Sequence, residues 1–379
     1  MLKCYKVKLK TLAPVHIGSG QDIQKSEYVY DRNTGTLYVL DTYKLFEGLK
    51  KRGLLDSFEE FMLRSPEVTM TEFVEKKGIN YYKDWARYSC IVGKTKKYTN
   101  PIKAFIKDAY GMPYIPGSSL KGVIRNALLS TILRQKNELF TEIANEVETE
   151  RKGKNYLSRQ STKLDEKVFH TARKDEEGKP YTDLSNAVNS KLRGLIISDS
   201  TPVSIDSLTV CGKEDMMKDG NTKNISLLRE CLAPDTELEF TMTLDTDVFK
   251  YSAETLEKVV KYQYTHLKNS YLNHFQGNLK TDALGGALLF MGGGTGYVSK
   301  TATYSLFYEK DSNKKAVKNT GKILHNVFYR DNINPRMKKM ASHEEDLRIH
   351  GISPRVRKCT KYKGQLYDMG LCKISFQPM

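Results

Sequence analysis

The chain has 379 residues, in which 61 Lys and Arg outnumber 45 Asp and Glu, so its formal net charge is +16. This length allows two domains with sizeable cores, or one large domain, and the charge favours nucleic acid or another anionic surface as a partner. No apolar run reaches the roughly 18 residues that span a bilayer, so we expect a cytoplasmic chain with no membrane partner.

The first elements read as strands and one helix. Residues 3–12 alternate apolar and lysine side chains, which predicts a strand whose lysine face meets solvent or phosphate. A loop with the sequence LAPVHIGSG follows at residues 12–20. Two strand-like runs flank Asn33-Thr34-Gly35 and predict a hairpin, after which Asp41 is predicted to cap a helix.

Residues 113–125 predict a rigid loop that opens directly into a helix. Two prolines and a glycine precede Ser118 and Ser119, and an apolar-periodic run follows. We expect a serine to cap this helix and leave backbone N–H groups free for a ligand. Together with Lys121 and Arg125, one turn apart, these groups predict an anion site, and phosphate is the expected anion.

The middle of the chain changes character. Residues 134–192 are polar and poor in apolar side chains, which predicts a helical or partly disordered insertion that buries little core. A second polar segment, near 212–225, predicts an exposed hairpin tip. The order of strands and helices favours an α+β fold with two domains, residues 1–232 and 233–379, rather than a parallel βαβ fold.

The run GGGTGY at residues 292–297 follows a strand-like segment, and its glycines would let the backbone approach a ligand closely. The third glycine and the helix of a dinucleotide fingerprint are missing, as is the Gly-Lys-Ser/Thr ending of a P-loop. Two interpretations remain. The loop either lays its peptide N–H groups against an RNA backbone or is a tight turn without a ligand.

Cysteine and histidine spacing points away from metal chemistry. The six cysteines never lie within four positions of each other, and no histidines pair at helical metal-binding spacing. This argues against a zinc site and a disulfide framework. We therefore expect reduced cysteines, no bound metal and no cofactor.

Three runs, at residues 12–20, 114–122 and 292–297, together resemble the RAMP proteins of CRISPR effector complexes in their order and separation. The resemblance implies a ferredoxin-like, RRM-type fold in each of the two domains, with the glycine-rich loop in the second. The chain length and the closing pattern, residues 351–371, are similar to one backbone subunit of the type III-A (Csm) complex.

The resemblance implies a structural subunit that binds crRNA and caps a filament of repeated RAMP subunits near the crRNA 3′ end. It would adjoin the small helical subunits and meet target RNA indirectly. It would also support crRNA 3′ maturation, with trimming done by recruited host nucleases. Carried over by motif, RNA contacts are expected from the following residues: His16, Gly18, Ser19, Lys25, Ser118, Ser119, Lys121, Arg125, Gly292, Gly293, Gly294, Thr295, Gly296 and Tyr297.

The alternative is an enzyme. A related filament subunit cuts target RNA with an aspartate shortly after its His-Ile-Gly motif, and Asp22 lies in that stretch here. Asp22 would have to hold a metal ion that activates water in a metal-dependent endoribonuclease. The next carboxylate is Glu27 and Lys25 would weaken metal binding, so we expect no catalytic residue.

His16 leaves two interpretations open. It could be a general base in metal-free RNA cleavage, or it could hydrogen-bond backbone or RNA, which the lack of an identifiable partner acid favours. A third class of function, a scaffold that contacts only proteins, is suggested by the mixed charges of residues 134–192.

Overall fold

The protein is described by a computed structural model. It describes residues 1–63, 69–92, 100–151, 155–172, 174, 176–179, 182–328 and 342–379. Within these ranges no helix is both long and apolar enough to cross a bilayer.

The strands form three sheets. Their bounds in chain order are β1 Leu2–Thr11, β2 Gly18–Ile23, β3 Tyr28–Asp31, β4 Thr36–Leu40, β5 Ala86–Ile91, β6 Ile102–Phe105, β7 Leu195–Ile197, β8 Leu208–Met216, β9 Thr222–Leu232, β10 Glu237–Asp245, β11 Leu288–Phe290, β12 Arg357–Tyr362, β13 Gln365–Asp368 and β14 Leu371–Pro378. The α+β class that the sequence predicts is therefore confirmed.

The described part of the chain also forms α-helices. Their bounds are α1 Thr42–Lys50, α2 Leu55–Leu63, α3 Met70–Lys76, α4 Gly117–Gln135, α5 Thr141–Thr149, α6 Ser158–Phe169, α7 Ala253–Ser270, α8 Thr303–Leu306, α9 Lys314–Phe328 and α10 Asp346–His350.

The central sheet has the order β11-β14-β1-β10-β7. β1 alternates as predicted, because Val7 and Leu9 are fully buried while Lys8 between them is exposed. Val7 lies opposite Phe240 of β10 and Phe376 of β14, in antiparallel pairs on both sides. The buried face of this sheet packs with the apolar sides of α4 and α7 into the largest core.

The connections of the central sheet follow a β-α-β-β-α-β pattern. The sequence β1, α4, β7, β10, α7, β14 appears in space as β14-β1-β10-β7, with antiparallel neighbours throughout. This unit takes strands from both sides of position 232. The division into domains 1–232 and 233–379 stays a prediction.

The second sheet has the order β13-β12-β8-β9-β6-β2. Its longest pair is the hairpin of β8 and β9, in the region where the sequence predicts a hairpin. The hairpin's turn is docked rather than free, since the Lys218 carbonyl accepts a hydrogen bond of 2.8 Å from the Gln276 amide. β6 pairs with β9 in parallel and with the edge strand β2 in antiparallel orientation.

The third sheet, β3-β4-β5, and helices α1 to α3 enclose a separate small core around Leu49, Phe58 and Trp85. Two sequence predictions are confirmed here. β3 and β4 form a hairpin across Gly35, whose φ is +70°. Asp41 caps α1, because its carboxylate accepts a hydrogen bond of 3.0 Å from the Lys44 amide.

In its described residues, the insertion at 134–192 forms helices and packs more apolar side chains than the sequence predicts. α4 continues to Gln135, and α5 and α6 follow. Phe140, Ile143 and Phe169 are buried in the largest core. The prediction of little core burial was wrong because a few apolar residues at helical spacing suffice for one buried stripe. Residues 152–154, 173, 175 and 180–181 of this insertion lie outside the described residues.

Candidate nucleic-acid interface

The histidine loop, residues 12–18, and the glycine loop, residues 292–297, meet although they lie far apart in the chain. The Gly293 amide donates a hydrogen bond of 2.6 Å to the His16 carbonyl. Gly292 has a φ of +81°, and a Cβ there would lie 2.2 Å from that same carbonyl oxygen. Only glycine fits this contact.

The start of the glycine loop is tied to a third segment. The Met291 amide, directly before the loop, donates a hydrogen bond of 2.8 Å to the Gly370 carbonyl in the turn before β14. The Gly370 amide in turn donates a hydrogen bond of 2.9 Å to the Pro14 carbonyl of the histidine loop. This turn therefore bridges the two loops and holds them together.

The side chain of His16 is buried beneath this junction, with 6% of the residue exposed. Its Nδ1 lies 2.7 Å from the Glu230 carbonyl of β9. Burial lowers the pKa of His16, and the positive charges of Arg229 and Lys300 lower it further, against the raising effect of the bond to Glu230. The imidazole is therefore neutral at neutral pH.

Glu230 holds β9 in place beneath the site. Its carboxylate is fully buried and accepts hydrogen bonds from Lys107 Nζ at 2.7 Å, the Phe105 amide at 2.9 Å and the Tyr88 hydroxyl at 2.5 Å. A buried carboxylate is stable only with such complete pairing. These bonds fix β9 against β5 and β6, and with it the residue next to Glu230, which is Arg229.

Cationic side chains border the glycine loop. A Cβ on Gly294 would lie 3.1 Å from Arg229 Nη1, and one on Gly296 would lie 3.1 Å from Lys358 Cγ. Lys300 lies three residues after the loop. Burial lowers its pKa, and the charge of Arg229 lowers it further. Sequence reasoning missed Arg229 and Lys300 as site residues, because nothing in their local pattern sets them apart from other surface cations.

Asp215 is a carboxylate near this group. Burial lowers the pKa of Arg229, and the charge of Asp215 opposes this without forming an ion pair. Asp215 pairs with Lys358 at 2.8 Å and with Lys213 at 3.8 Å. Among the residues that the structure describes, Arg229 and Lys300 form no ion pair with a carboxylate. We call the histidine loop and the glycine loop, together with Arg229 and Lys300, the loop clamp. Cations without an ion-pair partner, beside half-buried glycine peptide groups, are suited to bind phosphate.

Other predicted contact residues lie at the border of the loop clamp. Gly18 and Ser19 belong to the edge strand β2, where the Ser19 hydroxyl donates to the Ala104 carbonyl at 3.3 Å. Lys25 lies beyond the other end of β2, and its carbonyl accepts a hydrogen bond of 3.0 Å from the Met70 amide. The structure therefore brings Gly18 to His16 and places Lys25 at the junction with α3.

Side-chain hydrogen bonds of its own and the following residues stabilise the end of the glycine loop. The Tyr297 hydroxyl lies 2.9 Å from Thr303 Oγ1, and the Ser299 hydroxyl donates to the Thr295 carbonyl at 2.9 Å. Burial raises the pKa of Tyr297. The phenol thus points toward α8, and the loop's shape is held by its own side chains.

The start of α4 differs from the prediction. The helix begins at Gly117 with Pro116 as its cap, so Ser118 and Ser119 lie inside the first turn, and the expectation of a serine cap was wrong. The reason is tertiary: the carboxylate of Asp199 accepts a hydrogen bond of 2.8 Å from the Gly117 amide. That carboxylate already supplies a negative charge at the helix N-terminus.

The two cations of α4 have different surroundings. Arg125 forms an ion pair with Asp165 of α6, and its guanidinium lies 5.6 Å from the ring centre of Phe169. Burial lowers the pKa of Lys121. The next residue, Asn126, donates a hydrogen bond of 3.4 Å from its side-chain Nδ2 to the Ser299 carbonyl, which joins α4 to the segment after the glycine loop.

Asp22 does not sit in an open loop. It lies on β2, and its Oδ2 is 2.8 Å from Lys103 Nζ on the neighbouring strand β6. No group of three or more potential metal ligands occurs in the described part of the chain. Asp22 is therefore paired with a lysine and does not belong to a group of three potential metal ligands in the described residues.

Comparison with known proteins points to one family. A family model described as the RAMP superfamily matches residues 8–336. A curated protein of Mycobacterium tuberculosis, named CRISPR system Cms protein Csm5, is 26% identical over 99% of this chain and 98% of its own length. A protein of the same name from Enterococcus italicus is 27% identical over 100% of this chain and 98% of its own length.

A solved structure shares the fold. It is a chain in the cryo-EM structure of a Csm–crRNA–target RNA ternary complex of a type III-A CRISPR-Cas system. The TM-score is 0.64 at 20% identity, and the match covers 98% of this chain and 100% of that chain.

Proposed function

The chain belongs to the RAMP superfamily, and from this premise we propose that it is a crRNA-binding structural subunit of a type III-A CRISPR (Csm) effector complex. It caps the filament of repeated RAMP subunits near the crRNA 3′ end. Its partners are crRNA, the repeated backbone subunit and the small helical subunit, while target RNA is met indirectly. The observation that carries the RNA-binding part is the loop clamp, in which no carboxylate of the described residues pairs with Arg229 or Lys300.

The fold supports this proposal. The β-α-β-β-α-β order of the central sheet is that of a ferredoxin-like unit, a pattern on which RNA-recognition domains are built. The second ferredoxin-like unit stays a prediction, as does the boundary at 232, because the central unit takes strands from both sides of that position. The relatives named Csm5 match this chain over nearly its whole length, which supports the same role in a Csm complex.

The RNA-binding part is tested by charge removal. The variant Arg229→Ala/Lys300→Ala is expected to bind single-stranded RNA more weakly and to reduce the slope of log K against log salt by about 1.4, at about 0.7 for each lost phosphate contact. The matched control Lys50→Ala/Lys51→Ala removes two exposed charges near the end of α1, and we expect it to keep the wild-type slope. Equal slopes in both double variants would contradict the proposal.

The maturation role is a separate part of the proposal. In a reconstituted Csm complex exposed to host nucleases, we expect crRNA of uniform 3′ length with the wild-type chain. The Arg229→Ala/Lys300→Ala chain is expected to give longer, mixed 3′ ends, because a guide end that this subunit no longer binds is not presented to the recruited nucleases for trimming. Uniform 3′ ends without this subunit would remove the maturation role while leaving RNA binding intact.

The proposal assigns binding rather than cleavage to this chain. Asp22→Ala is therefore expected to leave RNA binding within about twofold of wild type, since the Asp22–Lys103 pair is a partly exposed ion pair of small energetic weight. Cleavage of target RNA by the purified wild-type chain with Mg²⁺ or Mn²⁺, lost in Asp22→Ala, would favour the enzyme alternative instead.

A further inference from the structure

The imidazole of His16 has one nitrogen engaged and one nitrogen open. Nδ1 lies 2.7 Å from the Glu230 carbonyl, which can only accept, so Nδ1 carries the hydrogen. In the neutral ring, Nε2 is then an acceptor with a free lone pair. Nε2 has no hydrogen-bond partner among the described residues, and it is not one of the fully enclosed unpartnered polar atoms, so part of its surface stays accessible.

Two glycines form the opening above this nitrogen. A Cβ on Gly18 would lie 3.2 Å from Nε2, and a Cβ on Gly293 would lie 2.9 Å from Cδ2 of the same ring. Neither glycine has a φ in the left-handed region. The backbone conformation therefore does not require glycine at either position, whereas the open space over the imidazole does.

Because Nε2 is an acceptor, the group that binds in this opening must be a hydrogen-bond donor. A lone pair repels phosphate oxygens, so His16 does not itself bind the phosphates that Arg229 and Lys300 attract. Between successive phosphates of an RNA strand lies a ribose, and its 2′-hydroxyl is a small donor that DNA lacks. An acceptor among phosphate-binding cations is placed to meet that hydroxyl.

We propose that His16 Nε2 accepts a hydrogen bond from a ribose 2′-hydroxyl and thereby makes the loop clamp prefer RNA over DNA. The inference deepens the proposed function and rests on it. Gly18 and Gly293 are specificity residues in this proposal, because they keep the nitrogen accessible.

The test compares RNA and DNA binding by the full chain at one salt concentration. The probes are a single-stranded RNA and a DNA of matched sequence and length, read by fluorescence anisotropy. His16→Asn keeps a donor toward Glu230 and removes the Nε2 acceptor, whereas His16→Gln is the matched control that places an acceptor near the Nε2 position. We expect His16→Asn to lose about fivefold in RNA affinity, as for one net hydrogen bond, with DNA affinity unchanged.

A second variant guards against a folding defect in His16→Asn. Gly18→Ala leaves the ring in place and covers Nε2 with a methyl group, so it is expected to lose the same preference for RNA. RNA carrying a single 2′-deoxy substitution should show one position that weakens binding to the wild-type chain but not to Gly18→Ala.

The outcomes separate the two proposals. If the wild-type chain fails to bind RNA, the proposed function itself fails. If it binds RNA but His16→Asn and Gly18→Ala weaken RNA and DNA by the same factor, the histidine is structural and this inference is overturned. A loss that depends on base sequence instead of the sugar would also overturn it, because the donor would then be a base.

Discussion

The loop clamp and the start of α4 resemble each other in sequence and differ in charge balance. Both combine glycines, small polar residues and nearby cations. At the start of α4, Asp199 accepts from the Gly117 amide and Asp165 pairs with Arg125. In the loop clamp, Arg229 and Lys300 form no ion pair with a carboxylate of the described residues. An anion site thus depends on where the chain's own carboxylates lie, which a short motif does not reveal.

The largest expected difference between the two regions is in stability, when one glycine of each is replaced by alanine. Gly292→Ala forces an alanine to a φ of +81° with its Cβ 2.2 Å from the His16 carbonyl. We expect a loss of about 3 kcal/mol in unfolding free energy from strain and overpacking. Gly122→Ala in α4 meets nothing within 4 Å and is expected to stabilise by up to about 1 kcal/mol.

Urea denaturation of both variants checks this pair of predictions. RNA affinity, measured alongside, is expected to fall in Gly292→Ala and to stay at the wild-type value in Gly122→Ala. If Gly292→Ala is as stable as the wild-type chain and binds RNA equally well, the contact between the two loops is not what holds the loop clamp together.

A smaller effect is expected from the buried histidines of the two regions. His16 lies in the loop clamp, and His266 of α7 lies near Arg134 at the far end of α4. Burial lowers the pKa of His266 to about 3, and the charge of Arg134 contributes. Since a histidine of the unfolded chain titrates near 6.5, the unfolded state binds more protons between these values, and stability falls as the pH drops below 6.5.

For His266 alone, this amounts to about 2 kcal/mol lost between pH 6.5 and pH 5. His16 adds to the loss in the same direction, because its pKa is also lowered. Denaturation at the two pH values is expected to show a smaller pH dependence in His266→Gln than in the wild-type chain. An unchanged pH dependence in this variant would mean that the pKa of His266 is not lowered in the folded protein.

The smallest effects are expected when a cation of one region is compared with a cation of the other. Arg125→Ala removes a partly exposed ion pair with Asp165, and we expect a cost of about 0.5 kcal/mol. We also expect it to change the salt slope of RNA binding less than Arg229→Ala, which should reduce the slope by about 0.7. RNA binding measured over a salt series compares them. An equal reduction would show that α4 contacts phosphate as strongly as the loop clamp, and would favour the sequence prediction for Lys121 and Arg125.

Local patterns predicted much of the fold. Alternation in β1, the turn at Gly35 and the cap at Asp41 are short-range features, and the structure confirms them. The insertion at 134–192 shows the limit of composition, because Phe140, Ile143 and Phe169 reach the main core despite their polar surroundings.

By itself, the sequence determined the strong positive charge, the mixed α+β class and the three motifs that carry the resemblance to RAMP proteins. Only the tertiary structure decided which motif residues meet and which cations of the described chain lack a carboxylate partner. The physical reason is that phosphate binding depends on distances of a few ångström between groups far apart in the chain. Arg229 beside Gly294, and Asp199 at the start of α4, are set by strand pairing and packing rather than by neighbouring residues.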